Sequence, residues 1–272
     1  MPQLAQNALL DATERIRRQA AKFATNFFAS REQVGIWLER GVLSYTEHAG
    51  SLLIYRWDRD LCRLYHVAAG LPELSAALDS ARGSLAPDTA LVSELVGVPE
   101  EVDSVAQIYR EHGYDDYTSL VRLVRINDGP LSSGSNHPSV VFAEETDVPA
   151  LGAFLERVLD PLRDQIPEPE EIRTAAGSRK VLVERLEDSL AGVLFFETTG
   201  LTSMLRYWYV DPRFCDRGIG GRLIKTYLGA CGATRIVLWV VANNTDAIAK
   251  YGHYGFQRDK LVDLIMVYKG NS

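Results

Sequence analysis

The residues best suited to chemistry lie between Met204 and Leu228. A strand pattern, Leu205-Arg206-Tyr207-Trp208-Tyr209-Val210, passes through the turn Asp211-Pro212-Arg213-Phe214 into Cys215-Asp216-Arg217-Gly218-Ile219-Gly220-Gly221, and a helical pattern begins near Arg222. A loop of small side chains at a helix N-terminus leaves backbone N–H groups free, and the helix dipole favours negative charge there. A diphosphate is the natural guest. Spacing narrows the choice. A P-loop needs Lys-Ser/Thr after its last glycine, where this chain has Arg222-Leu223. A dinucleotide fingerprint needs a small residue three places after Gly220, where Leu223 stands.

A second stretch lies downstream. The apolar run Arg235–Val241 reads as a buried strand, and Asn244-x-x-Ala247-x-x-x-Tyr251-x-x-x-Gly255-Phe256 follows it. Together the two stretches resemble the GNAT superfamily of N-acetyltransferases. Its acetyl-CoA loop reads Gln/Arg-x-x-Gly-x-Gly/Ala, and Gly218 and Gly220 fall on the two small positions. Its second signature is similar to Asn-x-x-Ala-x-x-x-Tyr-x-x-x-Gly-Phe, matched here at all five positions. Cys215 departs from the usual Gln or Arg, a loss that Arg213 and Arg217 could offset by a charge-assisted contact worth roughly 1–3 kcal/mol.

The resemblance implies a division of labour. The strand before the glycine loop and the strand before the second signature would splay, and the cofactor's thioester arm would lie between them, paired like an added strand. Tyr209 and Val210 would border the arm, with the Val210 N–H polarising the thioester carbonyl. Arg217, Gly218, Gly220 and Gly221 would offer N–H groups to the diphosphate, and Asn244 would contact the cofactor beside the arm. Tyr251 would act as general acid towards the leaving thiolate. An amine of pKa about 10 must also lose a proton, for which Glu197 is the candidate and Tyr207 the alternative. Strand alternation puts Tyr207 and Tyr209 on one face and Trp208 on the other.

The elements that must position these residues can be read along the chain. Leu9, Ala12, Ile16, Ala20, Phe23 and Phe27 recur at helical spacing, predicting an amphipathic helix rather than a secretory leader. Strand patterns follow over residues 42–67, then a helical stretch near 73–81, a strand near 90–96, a helix from Pro99-Glu100-Glu101 and a strand over 118–126. Tyr109…Gly113-Tyr114 mirrors Tyr251…Gly255-Phe256 at a constant offset of 142 residues, and Cys62–Val67 resembles Leu205–Val210. Such self-similarity predicts two copies of one fold in tandem. The first copy has Ala68-Ala69-Gly70-Leu71-Pro72-Glu73 where the glycine loop should be, and Val102 in place of Asn244. It reads as a degenerate copy without a cofactor loop.

The expected fold is therefore mixed α/β, two tandem GNAT-like domains, each a mostly antiparallel mixed sheet flanked by helices. The expected divisions are a degenerate domain at 1–128, a linker at 129–138 and an acetyl-CoA-binding catalytic domain at 139–272. A net charge of −7 without Lys/Arg runs argues against nucleic acid, and no apolar segment is long enough for a bilayer. Three scattered cysteines and five dispersed histidines suggest neither disulfides nor a metal site and fit a cytoplasmic location. The function implied is transfer of an acetyl group from acetyl-CoA, as co-substrate, to a primary amine of a small molecule, by a monomer or homodimer. The alternative is a non-catalytic acyl-CoA sensor or protein-interaction module of the same fold.

Overall fold

The computed structural model describes residues 2–81, 89–127, 137–187 and 189–269. The expected linker, 129–138, lies outside them apart from its last two residues. Contacts divide the chain into unit 1 (Met1–Leu120 with Lys260–Ser272) and unit 2 (Val121–Asp259). The N-terminal part supplies α1 (Pro2–Gln19), β1 (Ala24–Thr25), α2 (Arg31–Glu39), β2 (Leu43–His48), β3 (Ser51–Asp58), β4 (Leu61–Ala68), α3 (Leu71–Ala81), β5 (Ala90–Gly97), α4 (Pro99–Glu111) and β6 (Asp115–Ile126). The C-terminal part supplies β7 (Val140–Phe142), α5 (Val148–Val158), α6 (Pro169–Gly177), β8 (Val181–Leu186), β9 (Ser189–Thr199), β10 (Thr202–Val210), α7 (Ile219–Ala230), β11 (Arg235–Val241), α8 (Thr245–His253) and β12 (Gln257–Tyr268).

In unit 1 the strand order is β2-β3-β4-β5-β12, with β1 added to β4. The antiparallel partner of β5 is the C-terminal strand, with Val262 to Tyr268 opposite Gly97 to Leu91. A linear cut at 129–138 would have left residues 260–268 with the C-terminal half. Twelve-residue strands such as β6 and β12 bury their apolar positions wherever a sheet edge accepts them, and sequence alternation does not name that edge. In unit 2 the order is β6-β11-β10-β9-β8-β7.

In unit 1, β4 is buried throughout and β3 from Ser51 to Tyr55, as expected of a sheet covered on both faces. Leu53, Cys62 and Leu64 pack with α3 and α4, whereas Leu52, Ile54 and Val67 pack with α1 and α2. Ser30 and Gln33 form the capping box that starts α2, a helix not foreseen from sequence. The first helix ends at Gln19, short of the Phe23 and Phe27 assigned to it. Their spacing suits a helix, but the chain there takes sheet hydrogen bonds from β4 instead. In unit 2, Val181, Val183, Val193 and Phe195 pack beneath α5 and α6. Phe196 turns the other way, onto Tyr227 of α7.

Candidate functional site

Two parallel strands that part company define the site in unit 2. β10 and β11 pair from Thr202–Arg235 to Leu205–Leu238, and their register ends there. Against β9, β10 carries a bulge: Leu205 faces Phe196, yet Tyr207 faces Phe195. The extra residue, Arg206, shifts the side-chain alternation. Before the bulge, Ser203 points to α7, where its Oγ lies 2.8 Å from the Tyr227 hydroxyl. After it, Tyr207 and Tyr209 pack with the α5–α6 cluster, as the alternation predicts for this pair. The Tyr207 hydroxyl donates to the Gln165 carbonyl.

The glycine loop follows β10 directly. Asp211 caps the short turn Pro212–Phe214, accepting from the Arg213 N–H at 2.9 Å and pairing with the Arg213 and Arg157 side chains. Those Arg213 hydrogen bonds hold its carboxyl down at about 2. Gly218 caps α7 in the left-handed region (φ 74°) and provides no side chain to the helix end. A Cβ on Gly220 would come within 3.3 Å of the Trp208 ring and 3.5 Å of Val210, and one on Gly221 within 3.2 Å of the Tyr254 hydroxyl. Gly192 of β9 allows α7 to sit close: a Cβ there would lie 2.7 Å from Ile219. The first turn of α7 is thus uncapped, small and pressed against the end of β10.

Cys215 is exposed, and both arginines expected to offset the missing side chain have partners within the protein. Arg213 is held by Asp211, and Arg217 lies over the Phe214 ring with its head half in solvent. The brace is Arg222. Its Nη1 donates to the Arg217 carbonyl at 2.7 Å, while Nε and Nη2 grip both carboxylate oxygens of Glu184 at 2.6–3.1 Å. Glu184 is 1% exposed on β8, so the guanidinium is anchored on the sheet and holds the loop from behind. A basic residue just after the glycines was the only signal, and its partner lies 38 positions away.

Tyr251 sits on α8 with its ring edge-on to Trp208 (5.2 Å) and Phe256 (5.7 Å). Burial, with the Tyr209 phenol second, drives its pKa above the ordinary tyrosine value. Tyr209 is raised to about 12, chiefly by burial and then by Asp164. Both phenols therefore stay protonated at neutral pH. Trp208 Nε1 is buried without a hydrogen-bond partner, 3.5 Å from where a Gly220 Cβ would stand. Asn244 starts α8 as its N-cap, its Oδ1 accepting from Ala247 N–H at 3.0 Å. Glu197 stands opposite Met204, in the still-paired part of β10, and its carboxylate is 2.7 Å from Arg206. It is brought to the bulge rather than into the strand gap.

Unit 1 contains the same parting strands with the gap filled. β4 and β5 pair from Leu61–Ala90 to Arg63–Val92 and then separate. β1 lies in the opening, Ala24 opposite Ala68 and Thr25 opposite Val67. The next residue, Asn26, spans both strands: its Nδ2 donates to Leu64 and Glu94 carbonyls at 3.3 and 3.1 Å, and its Oδ1 accepts from His66 N–H. The start of α3 is occupied too, since Glu73 Oε2 lies 2.8 Å from where a Gly70 Cβ would be. β4 runs against β3 without a bulge. Backbone, Asn26 and the Glu73 carboxylate thus sit where unit 2 has a strand gap and a helix cap without a side chain.

Residues 152–256 match the acetyltransferase (GNAT) family model. No curated protein matches the chain. Among solved structures, a GCN5-related N-acetyltransferase from Sphaerobacter thermophilus has a TM-score of 0.60 at 15% identity, over 89% of this chain and 86% of that one. A putative GNAT acetyltransferase from Novosphingobium aromaticivorans reaches 0.51 at 20% identity, over 86% and 93%. A tandem GNAT protein from the clavulanic acid biosynthesis pathway, without AcCoA, reaches 0.54 at 14% identity, over 85% of each chain. At these identities the neighbours speak for the fold, and the family match covers the β10–α7–β11–α8 site.

Proposed function

We propose that unit 2 transfers an acetyl group from acetyl-CoA to a primary amine of a small molecule. The observation that carries this reading is the gap after Leu205–Leu238, flanked by a side-chain-free helix cap at Gly218 and a protonated phenol at Tyr251. The first-turn amides of α7 and the loop at Arg217 would hold the diphosphate, with the helix dipole adding to the attraction. The Tyr254 hydroxyl, beside Gly221, extends that donor set. Trp208 walls the gap, and the β10 edge near Tyr209 and Val210, paired with β9 but past the end of its register with β11, would receive the arm as a strand, with Asn244 beside it.

When bound, the co-substrate supplies an activated acyl carbon; the chain's residues position it and manage protons. The Val210 N–H would polarise the acyl carbonyl. Tyr251, kept protonated by burial, is suited to deliver its Oη proton to the departing sulfur. The amine would approach from the face carrying Tyr207 and Tyr209, beside the ion-paired Arg163 and Asp164. Glu197 could take the amine's proton only after leaving Arg206, so a water-relayed transfer suits this geometry better. Release of CoA thiol on addition of an amine, absent without one, tests the reading. Tight acyl-CoA binding with no release for any amine class would make the domain a sensor instead.

A further inference from the structure

We propose that unit 1 binds a small apolar α-amino acid in the groove left at the mouth of its plugged strand gap. This inference is independent of the acyl-transfer reading, since it concerns the unit whose arm and phosphate positions are already filled. β1 does not close the opening completely. Between it, the end of β5 and the first turns of α4 remains a groove of about 220 Å³. Scaling from benzene, which fills a cavity of about 150 Å³, this volume suits about nine non-hydrogen atoms, the size of leucine.

The lining sets the chemistry. Leu71, Leu95, Val102 and Val105 make the walls apolar. Lys22 and Glu101 stand exposed at the same opening, one cation and one anion. A ligand with an apolar body and adjacent carboxylate and ammonium groups satisfies all three features. The polar side chains nearby are otherwise committed: Thr25 Oγ1 donates to the His66 carbonyl, Asn26 bridges the strands, and Ser104 Oγ donates to the Glu100 carbonyl.

His66 supplies the independent indication. It is 1% exposed, yet its ring borders the groove. One ring nitrogen, Nδ1, lies 2.9 Å from the Tyr109 hydroxyl. Among the described residues the other, Nε2, makes no hydrogen bond, and it is not sealed from the groove, so a group held there can reach it. Burial lowers its pKa to about 3, so the ring is neutral and one nitrogen must donate while the other accepts. A ligand in the groove completes the set.

The test follows His66 ring nitrogens by NMR in the full chain during titration with L-leucine, 4-methylpentanoate (no ammonium) and 3-methylbutylamine (no carboxylate). L-Leucine is expected to shift the His66 signals saturably at concentrations below about 10 mM. Glu101→Gln should weaken L-leucine about fivefold and leave 4-methylpentanoate unchanged; Lys22→Gln should weaken it similarly and leave 3-methylbutylamine unchanged. Both residues are exposed, so folding is not at stake. The proposal is overturned if L-leucine leaves His66 unmoved, if it binds only where His66 does not report, or if both variants bind it like the parent chain.

Discussion

Replacing Arg222 by methionine removes the guanidinium that does two jobs, neutralising a buried carboxylate and holding the glycine loop. Glu184 is 1% exposed and takes its charge-assisted bonds from Arg222 at 2.6–3.1 Å. Breaking a fully buried pair by removing one member costs about 3–5 kcal/mol. The Arg222 side chain is 25% exposed, so water can reach part of the pair and about 2–4 kcal/mol is the expected loss. For a unit of this size that is a fall in thermal midpoint of about 6–12 °C. Adding Glu184→Leu removes the stranded carboxylate and should recover most of the stability. Acetyl-CoA affinity should not recover, because the 2.7 Å bond from Arg222 to the Arg217 carbonyl is still missing. Calorimetric unfolding and titration of both variants separate the two jobs. If the double variant regains stability and affinity together, Arg222 is only a counter-ion and the bracing argument is wrong. A single-variant loss below about 1 kcal/mol would refute the burial argument.

Other perturbations probe other parts of the account. Tyr251→Phe should bind acetyl-CoA within about twofold of the parent and slow turnover at least 100-fold; full-rate turnover removes its role as acid. In the parent, rate should rise with pH as the ammonium loses its proton and show no alkaline fall below about pH 10, because burial raises the Tyr251 phenol. Tyr254→Phe should weaken acetyl-CoA about fivefold and leave acetyl-pantetheine, which lacks the diphosphate, untouched; equal losses for both would place Tyr254 elsewhere than at the phosphates. In unit 1, Asp263 is buried with Oδ1 unpartnered, near Arg63, which already pairs with Asp58 (2.7 Å) and Glu94 (2.9 Å). Burial, then Glu94, raises its pKa, so the folded state holds this proton more tightly than the unfolded one. Its stabilising contribution is complete below about pH 4 and is lost as pH rises towards the elevated folded value. Asp263→Asn should therefore raise the thermal midpoint at pH 7.5, with the gain shrinking towards pH 4; no gain at pH 7.5 contradicts the assignment.

What the sequence disclosed was local. The glycines at 218, 220 and 221, the signature beginning at Asn244, the strand before each and the motifs that repeat between the copies all depend on residues close along the chain. What it concealed depends on partners far apart. The Arg206 bulge has no glycine to announce it, and only the slip against β9 reveals that side chains change face there. β1 is two residues long and continues the apolar period of α1, so Phe23 and Phe27 read as helix until β4 claims that backbone. The Arg222–Glu184 brace joins a helix to a strand 38 residues earlier, while the nearer Arg213 is consumed by Asp211. Glu197 reads from sequence as the candidate base, but the arginine at the bulge pairs with it.

The two units make one contrast that a single titration can judge. In unit 1 the chain's own Asn26 and Glu73 sit where unit 2 has an open gap and a bare helix cap. Calorimetry of the full chain with acetyl-CoA should therefore give one equivalent bound per chain. Gly220→Val, which drives a branched side chain into Trp208 and Val210, should abolish that binding. No uptake by the parent chain, two equivalents, or undiminished binding by the Gly220→Val variant would contradict it.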